Sequence, residues 1–409
     1  MPAQARSLTF AIHELNPWGG HDRSTLEIAR NLSHQIPLEI SSYSIVDPKG
    51  QNAWGHYTFR PIRPYIKKPA FFLITYFYFN SLWRFWMLPK FQFKQRPLIH
   101  ATGACSLISD VIQVQFVNTA WKHARDRIEK GYYQAPHSRS GSLIKSKLIK
   151  LYHEFMLNYD RAIESLVYKP DKTYIAIAHS VAKELKDYFG VKANVHVIHH
   201  GVDPLYFHPP NDEQTRQDRE AIRKSLSVAE NELVIAFVGA FERKGLAVAI
   251  DALALLEPSL RKKVRLMAVG SGDAQGFKER AKAHGIEDRL IIVGHTKEVV
   301  RYYRAGDAFL LPTLYEPFGL VILEAMACGL PPIVSRLAGG AELIREGESG
   351  LLIESPTDAH EIAGHLAKLI ENPELRKKLG ENARAVAEKR TWERVAQEYA
   401  AVLEPLLLK

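Results

Sequence analysis

Residues 310–343, LLPTLYEPFGLVILEAMACGLPPIVSRLAGGAEL, decide the fold. The apolar run that ends at Pro312 reads as a buried strand. A turn follows, and the spacing predicts a helix over residues 318–328, closed by Gly329 and barred from continuing by Pro331 and Pro332. Ile333 and Val334 begin another strand. Strand, loop, helix, strand is half of a parallel α/β unit.

Two carboxylates stand out in this segment. Glu324 interrupts an otherwise apolar helix, with Leu320-Val321-Ile322-Leu323 before it and Ala325-Met326-Ala327-Cys328 after it. Burying an unpaired carboxylate there is expensive. Glu316 lies eight residues earlier, ahead of the helix. Between them Phe318, Gly319 and Leu320 offer backbone N–H groups at the helix start, and Gly319 lets a ligand come close to the main chain. Phosphate, ribose hydroxyls and sugar hydroxyls are what such a set would bind. A purely structural reading stays open: Glu316 is favoured by the helix dipole, and Glu324 pairs with a buried cation.

Glu316-Pro-Phe-Gly-Leu-Val-Ile-Leu-Glu324, followed by Ala-Met-Ala-Cys-Gly-Leu-Pro, resembles the signature of the retaining nucleotide-sugar glycosyltransferases of family 4. These share the GT-B fold with glycogen synthases. The resemblance covers nearly the whole chain, strongly in the second half and loosely in the first. It implies an α/β protein of two Rossmann-like, doubly wound domains facing each other across a cleft.

Outward from the signature, LVIAFVG from Leu233 is a strand, and Lys244-Gly245 opens a helix to Leu256. Strands at 264–269, 290–293 and 307–311 alternate with helical stretches, the pattern of a parallel sheet wound on both faces. Arg243 and Lys244 sit at the carboxyl end of the first strand, where such sheets bind ligands. Two cations there suit a diphosphate, Arg as a bidentate fork and Lys as a point charge. Phe237-Val-Gly-Ala-Phe-Glu-Arg-Lys-Gly-Leu246 resembles the corresponding loop of lipopolysaccharide-core glucosyltransferases of the family. Gly270-Ser-Gly-Asp273 follows a strand, but Gln275 stands where a dinucleotide fingerprint needs its third glycine, so it reads as a turn.

In the first half, residues 7–12 form a strand, Asn16-Pro17-Trp18-Gly19-Gly20 a turn, and residues 21–33 a helix. Gly19 and Gly20 would let backbone approach a phosphate, although a tight turn explains them equally well. Strands are expected at 97–101, 111–117, 173–178 and 195–198, with a helix capped by Ser180 after the third. Family members often carry a histidine in the segment matching Gln113-Val-Gln-Phe-Val-Asn118; here the candidates are Gln115 and Asn118, neither a base at pH 7. His100 is the nearby histidine and is taken as a candidate catalytic residue. His199 and His200 lack a third ligand at metal spacing and read as structural. Residues 208–220, HPPNDEQTRQDRE, read as the interdomain linker. The expected domains are 1–205 and 206–392, with the helix of residues 393–409 packing back on the first.

The chain has 409 residues and a net charge of +9, from 54 basic and 45 acidic side chains. Much of the excess lies between residues 122 and 150, where eight Lys/Arg oppose Asp126 and Glu129. This stretch reads as a patch for anions or as a solvated helix face. Residues 71–93 are rich in aromatics; the 18 from Phe71 to Leu88 hold one charge, Arg84. They fit a helix lying in a bilayer interface or a crossover helix buried against the sheet. Two cysteines exclude a disulfide framework and point to a reducing compartment, and the N-terminus lacks the apolar run of a signal peptide. The expected location is cytoplasmic, with a peripheral contact to the inner face of the cytoplasmic membrane if the aromatic stretch serves that way.

The resemblance assigns roles by position. Arg243 and Lys244 neutralise the donor diphosphate, the amides of Phe318, Gly319 and Leu320 cap it, Glu324 holds the ribose and Glu316 the sugar hydroxyls. Gly19 and Gly20 admit the phosphate from the first domain. The expected reaction moves a hexose from a nucleotide sugar, UDP-linked, to a hydroxyl of a cell-envelope glycan or glycolipid such as lipopolysaccharide core, with retention. No cofactor and no metal ion are expected, since no two aspartates stand one residue apart. A nucleotide-sugar epimerase or a phosphorylase on the same fold, or a non-catalytic glycan- or lipid-binding protein, are the other readings. A nucleic-acid partner is not expected, because no recognised module accompanies the basic stretch.

Overall fold

The computed structural model describes residues 6–12, 14–15, 19–42, 44–45, 57–61, 81–82, 96–131 and 143–408. The chain divides into two compact units. One comprises Met1–His123, Ser142–His200 and Trp392–Lys409; the other comprises Ala124–Gly141 and Gly201–Thr391.

The first unit is built on a parallel sheet of seven strands: β1 (Leu8–Ala11), β2 (Leu38–Ser42), β3 (Tyr57–Pro61), β4 (Leu98–Thr102), β5 (Val111–Val114), β6 (Thr173–Ala176) and β7 (Val195–Val197). Their order is β3-β2-β1-β4-β5-β6-β7, so the winding reverses between β1 and β4. Helices α1 (Gly20–Leu32), α2 (Asn118–Gly131, grouped with this unit as far as His123), α3 (Leu143–Val167) and α4 (His179–Phe189) belong to the connections. Central strands of such a sheet are covered on both faces, which is why LTFA and VIQV are buried along their whole length. The sequence reading missed β2 and β3. LEISS and YTFRP are short, half polar and without alternation, so pairing with β1 and then with each other makes them strands. The α4 cap also differs: Ala178 precedes the helix without a side-chain bond, and Ser180 lies inside it.

The start of α2 is held from a distance. Glu164 of α3, almost wholly buried, accepts hydrogen bonds from the backbone N–H groups of Asn118 (2.6 Å) and Thr119 (3.2 Å) and from both their side chains. Burial pushes its pKa up to about 7, against the pull of those four donors. A raised carboxylate pKa means the native state binds a proton that the unfolded chain releases above its ordinary value of 4.5. Stability from this group is therefore greatest in acid and falls as pH rises toward 7. Melting temperature measured from pH 5 to 8 is expected to decline more steeply in the wild type than in Glu164→Gln, which cannot titrate; equal slopes would remove this role.

The second unit repeats the winding. Its strands are β8 (Leu233–Ala240), β9 (Val264–Ser271), β10 (Leu290–Gly294), β11 (Ala308–Leu311), β12 (Pro332–Ser335) and β13 (Leu351–Ile353), in the order β10-β9-β8-β11-β12-β13 and all parallel. Its helices include α5 (Glu213–Ser225), α6 (Leu246–Leu255), α7 (Ala274–Ala283), α8 (Val299–Ala305), α9 (Leu320–Ala327), α10 (Ala359–Glu371) and α11 (Pro373–Glu388). Phe237, Leu246, Ile250, Leu266, Ile333 and Leu366 join one core cluster beneath the sheet. The last helix, α12 (Trp392–Leu407), belongs to the first unit and packs on α1.

Residues 208–220 are not the plain linker that their composition indicates. Asp212 caps α5 by accepting from Thr215 N–H at 2.8 Å, and the Thr215 hydroxyl accepts in return from Asp212 N–H. Arg219 and Arg223 then anchor α5 to Asp307, at 2.6 and 3.0 Å. The polar composition belongs to a surface helix with its anchors on one face.

No helix among the described residues is long and apolar enough to cross a membrane. Residues 71–93 lie outside the described residues apart from Ser81 and Leu82. The basic stretch is helical where it is described, in α2 and α3, and Lys122 pairs with Glu154 at 3.6 Å.

Candidate functional site

In doubly wound sheets ligands bind beyond the strands' carboxyl ends, at the point where the order reverses. In the second unit that point lies between β8 and β11. The loop after β8 carries Arg243 and Lys244, and the loop after β11 carries Glu316 and leads into α9. The two loops abut: a Cβ on Gly245, whose φ is +86°, would lie 2.4 Å from the Pro312 carbonyl oxygen. Lys244 folds back over the end of β8, where a side chain on Gly239 would collide with its stem.

Both cations converge on one oxygen. Arg243 Nη1 and Lys244 Nζ each lie 3.2 Å from Glu316 Oε2. Burial raises the Glu316 pKa, but Lys244 and then Arg243 outweigh it and hold the carboxyl below its usual range. One carboxylate faces two cations, and Lys244 is buried, so the trio carries a net positive charge in a poorly solvated place. Such a surplus favours an incoming anion.

The loop that carries Glu316 is held by the turn after β12. Gly339 N–H donates to the Glu316 carbonyl at 2.9 Å and Gly340 N–H to the Phe318 carbonyl at 2.7 Å. A Cβ on Gly340 would sit 2.8 Å from that second carbonyl. Gly319 takes φ +86°, the left-handed region that favours glycine, and directs the chain into α9. The expected helix start is therefore corrected. Helical geometry begins at Leu320, and Phe318 lies before the turn with its side chain buried. The first-turn amides are those of Leu320 and Val321, since Ile322 N–H already bonds to the Gly319 carbonyl. Glu324 follows one turn inside α9, 3% exposed, and its Oε2 accepts from the Tyr303 hydroxyl at 2.9 Å.

Two residues here escaped the sequence reading. Glu242 Oε1 accepts from Asp273 N–H at 2.7 Å, which ties the loop after β8 to the turn after β9. Gly272 leaves room for that carboxylate. Tyr303 of α8 is the other. Neither carries a local signal, because each partner lies tens of residues away.

In the first unit the candidate positions fare differently. His100 is corrected: it lies on β4 inside the core, with no exposed surface, stacked on Phe10 at 4.2 Å and beside Tyr399 at 5.9 Å. Burial pushes its pKa down to about 3, and neither ring nitrogen has a hydrogen-bond partner among the described residues. It is a neutral core side chain, not a catalytic base. Gln115 is also structural: its amide donates to Thr25 Oγ1 at 3.1 Å and its oxygen accepts from Ser24 Oγ at 3.2 Å, which clamps the start of α1. Gly19 precedes α1 at φ −84°, a conformation open to any residue, and Gly20 opens the helix, exposed. Backbone geometry does not call for glycine at Gly19, so the bareness of this helix start is its notable property.

The family model for glycosyl transferases group 1 matches residues 218–386, and that for glycosyltransferase family 4 matches residues 18–205. The chain belongs to the GT-B glycosyltransferases of family 4. A D-inositol 3-phosphate glycosyltransferase of Corynebacterium jeikeium is 28% identical to this chain over 313 residues, 73% of this chain and 69% of that one. The protein of that name from Thermobifida fusca is 32% identical over 233 residues, 54% of this chain and 52% of its own, so the chain spans about half the length of some curated relatives. Among solved structures, WaaG, a glycosyltransferase involved in lipopolysaccharide biosynthesis, is 20% identical with a TM-score of 0.71, covering 97% of this chain and 99% of that one. Anabaena Alr3699/HepE, solved with UDP and glucose, is 19% identical with a TM-score of 0.69, covering 98% and 99%. These structures share the fold of this chain.

Proposed function

We propose that this glycosyltransferase moves a hexose from a nucleotide sugar, UDP-linked, to a hydroxyl of an anionic cell-envelope glycan or glycolipid such as lipopolysaccharide core. The observation that carries the proposal is the convergence of Arg243 and Lys244 on Glu316 at the reversal point of the second sheet, beside the first turn of α9. The binding of UDP and glucose by HepE and the lipopolysaccharide role of WaaG support the donor and acceptor classes.

In this reading the donor diphosphate takes up the surplus charge of Arg243 and Lys244, and the first-turn amides of Leu320 and Val321 cap it. Glu316 turns to the sugar hydroxyls and Glu324 to the ribose. The bond between the anomeric carbon and the phosphate oxygen breaks, and negative charge grows on the departing nucleoside diphosphate. Positioned cations and amides stabilise that charge more in the transition state than in the ground state, which is where rate is gained. The acceptor oxygen bonds to the anomeric carbon on the face the phosphate leaves, and its proton passes to the departing phosphate oxygen. Configuration is retained, no histidine base is needed, and the two cations do the work of a metal ion. The bare start of α1 at Gly19 and Gly20 would accept an anionic group of donor or acceptor.

A thermal-shift panel of UDP, GDP, ADP and their sugars tests the donor. UDP ligands are expected to stabilise most, by about 2.7 kcal/mol at a hundred times the dissociation constant. A flat response to the whole panel would overturn the proposal. The location proposed is cytoplasmic, at the inner face of the cytoplasmic membrane, with the basic stretch of α2 and α3 against anionic lipid. Leu151, Tyr152 and Phe155 of α3 are exposed and support that contact. Salt-sensitive sedimentation with phosphatidylglycerol-containing liposomes is the expected result, and sedimentation equal to that with neutral liposomes would end the membrane proposal.

A further inference from the structure

One buried face of the first sheet carries polar side chains that the chain itself does not satisfy. His100 and Thr102 alternate along β4, so both belong to that face, and Gln113 is the parallel partner of Thr102 on β5. All three are buried, His100 and Gln113 with no exposed surface and Thr102 at 3%. Among the described residues, neither ring nitrogen of His100, nor the Thr102 hydroxyl, nor either amide atom of Gln113 has a hydrogen-bond partner. Gln115, two residues further on, shows the contrast: Thr25 and Ser24 of α1 meet its nitrogen and its oxygen. Tyr399 of α12 lies beside the His100 ring, and α1 and α12 pack on each other, so two helices roof the patch.

Five polar atoms stranded together in a core are rare, because each unpaired group costs free energy that a packed apolar side chain would not. Their requirements are mixed. A neutral imidazole needs one donor and one acceptor, a primary amide needs acceptors for its nitrogen and a donor for its oxygen, and a hydroxyl takes both. Water meets all of these and is small enough to sit between a sheet and its helices. An ion would find no charge to balance it on these three side chains, since burial keeps His100 neutral. We infer that His100, Thr102 and Gln113 bind a small cluster of permanent internal water molecules beneath α1 and α12, near the carboxyl ends of β4 and β5. The waters are shared across the two strands, so Thr102 and Gln113 act as one unit.

Two measurements on the full chain test this. In a high-resolution crystal structure, ordered water is expected within about 3 Å of Gln113, of Thr102 and of a ring nitrogen of His100. Density free of water there, or a direct bond from Gln113 to either neighbour, would overturn the site. The second measurement is thermal melting of Gln113→Met and Thr102→Val, which keep length or shape and remove the polar groups. If these groups were dry and unpaired, apolar replacements would stabilise the fold. If they are hydrated, the replacements destabilise it, because the waters and the remaining side chains lose a partner. Each variant is expected to lower the melting temperature by about 2 °C or more. The double variant is expected to lose less than the sum of the two, since the first change already disperses the shared waters. An unchanged or raised melting temperature, or losses that add, would overturn the shared cluster. Should a variant fail to fold, the crystal structure of the wild type decides alone.

Discussion

Lys244→Ala is expected to lower glycosyl transfer at least about a hundredfold, with the second unit still folded. A hundredfold corresponds to about 2.7 kcal/mol of lost transition-state stabilisation, the size seen when one preorganised charge-stabilising donor is removed. Lys244 is buried and its Nζ reaches Glu316, so alanine removes a cation from where the leaving phosphate would gather charge. It also strips Glu316 of the stronger of its two ionic partners. The Glu316 pKa then rises, because burial is left opposed by Arg243 alone. The variant should therefore lose its remaining activity at a higher pH on the acid side than wild type does, since Glu316 protonates sooner. Glu324→Ala should show a loss of similar size. Initial rates from pH 5 to 9, alongside circular dichroism to confirm folding, check all of this. Near-normal turnover in either folded variant would sink the site assignment.

The second large effect concerns stability. Gly270→Ala should cost the second unit on the order of 4 kcal/mol or more. Gly270, next to last in β9, lies directly opposite Gly239 of β8 and takes φ +147°, where an L side chain is strained. A Cβ there would lie 1.9 Å from the Gly239 carbonyl oxygen, a main-chain atom of the neighbouring strand. Relief would require the two central strands to part, in a core with little room to yield. Gly285→Ala is the matched control. Its φ is +65°, and an added Cβ would meet nothing within 4 Å, so it should cost only about 1 kcal/mol from backbone strain. Calorimetric melting of the two variants separates collision from conformation. Equal shifts would show that strand crowding has no part in it.

The chain's own residues dictate much of this architecture. LVIAFVGA is apolar throughout, and VRLMAVGS is so apart from Arg265 and Ser271, because a parallel strand covered on both faces has little wet side, and the runs are legible for that reason. The carboxylate inside the apolar run of α9 was equally plain, since nothing in local propensity accounts for it. Short half-polar strands such as YTFRP were illegible, because a neighbour's hydrogen bonds create them. The polar stretch at 208–220 misled, because a surface helix and a linker share a composition and differ only in where their arginines anchor.

What sequence determined, then, is the winding pattern and the chemistry available: two cations after one strand, two carboxylates around one helix, and glycines at the turns. Tertiary structure alone decided which groups meet. Arg243 and Glu316 stand 73 positions apart, and their contact follows from the parallel pairing of β8 with β11. The same folding carried His100 into a core that keeps it neutral, and set Tyr303 against Glu324. Periodicity reports which face of an element is dry; it does not report what lies across from that face, and a site is made of what lies across.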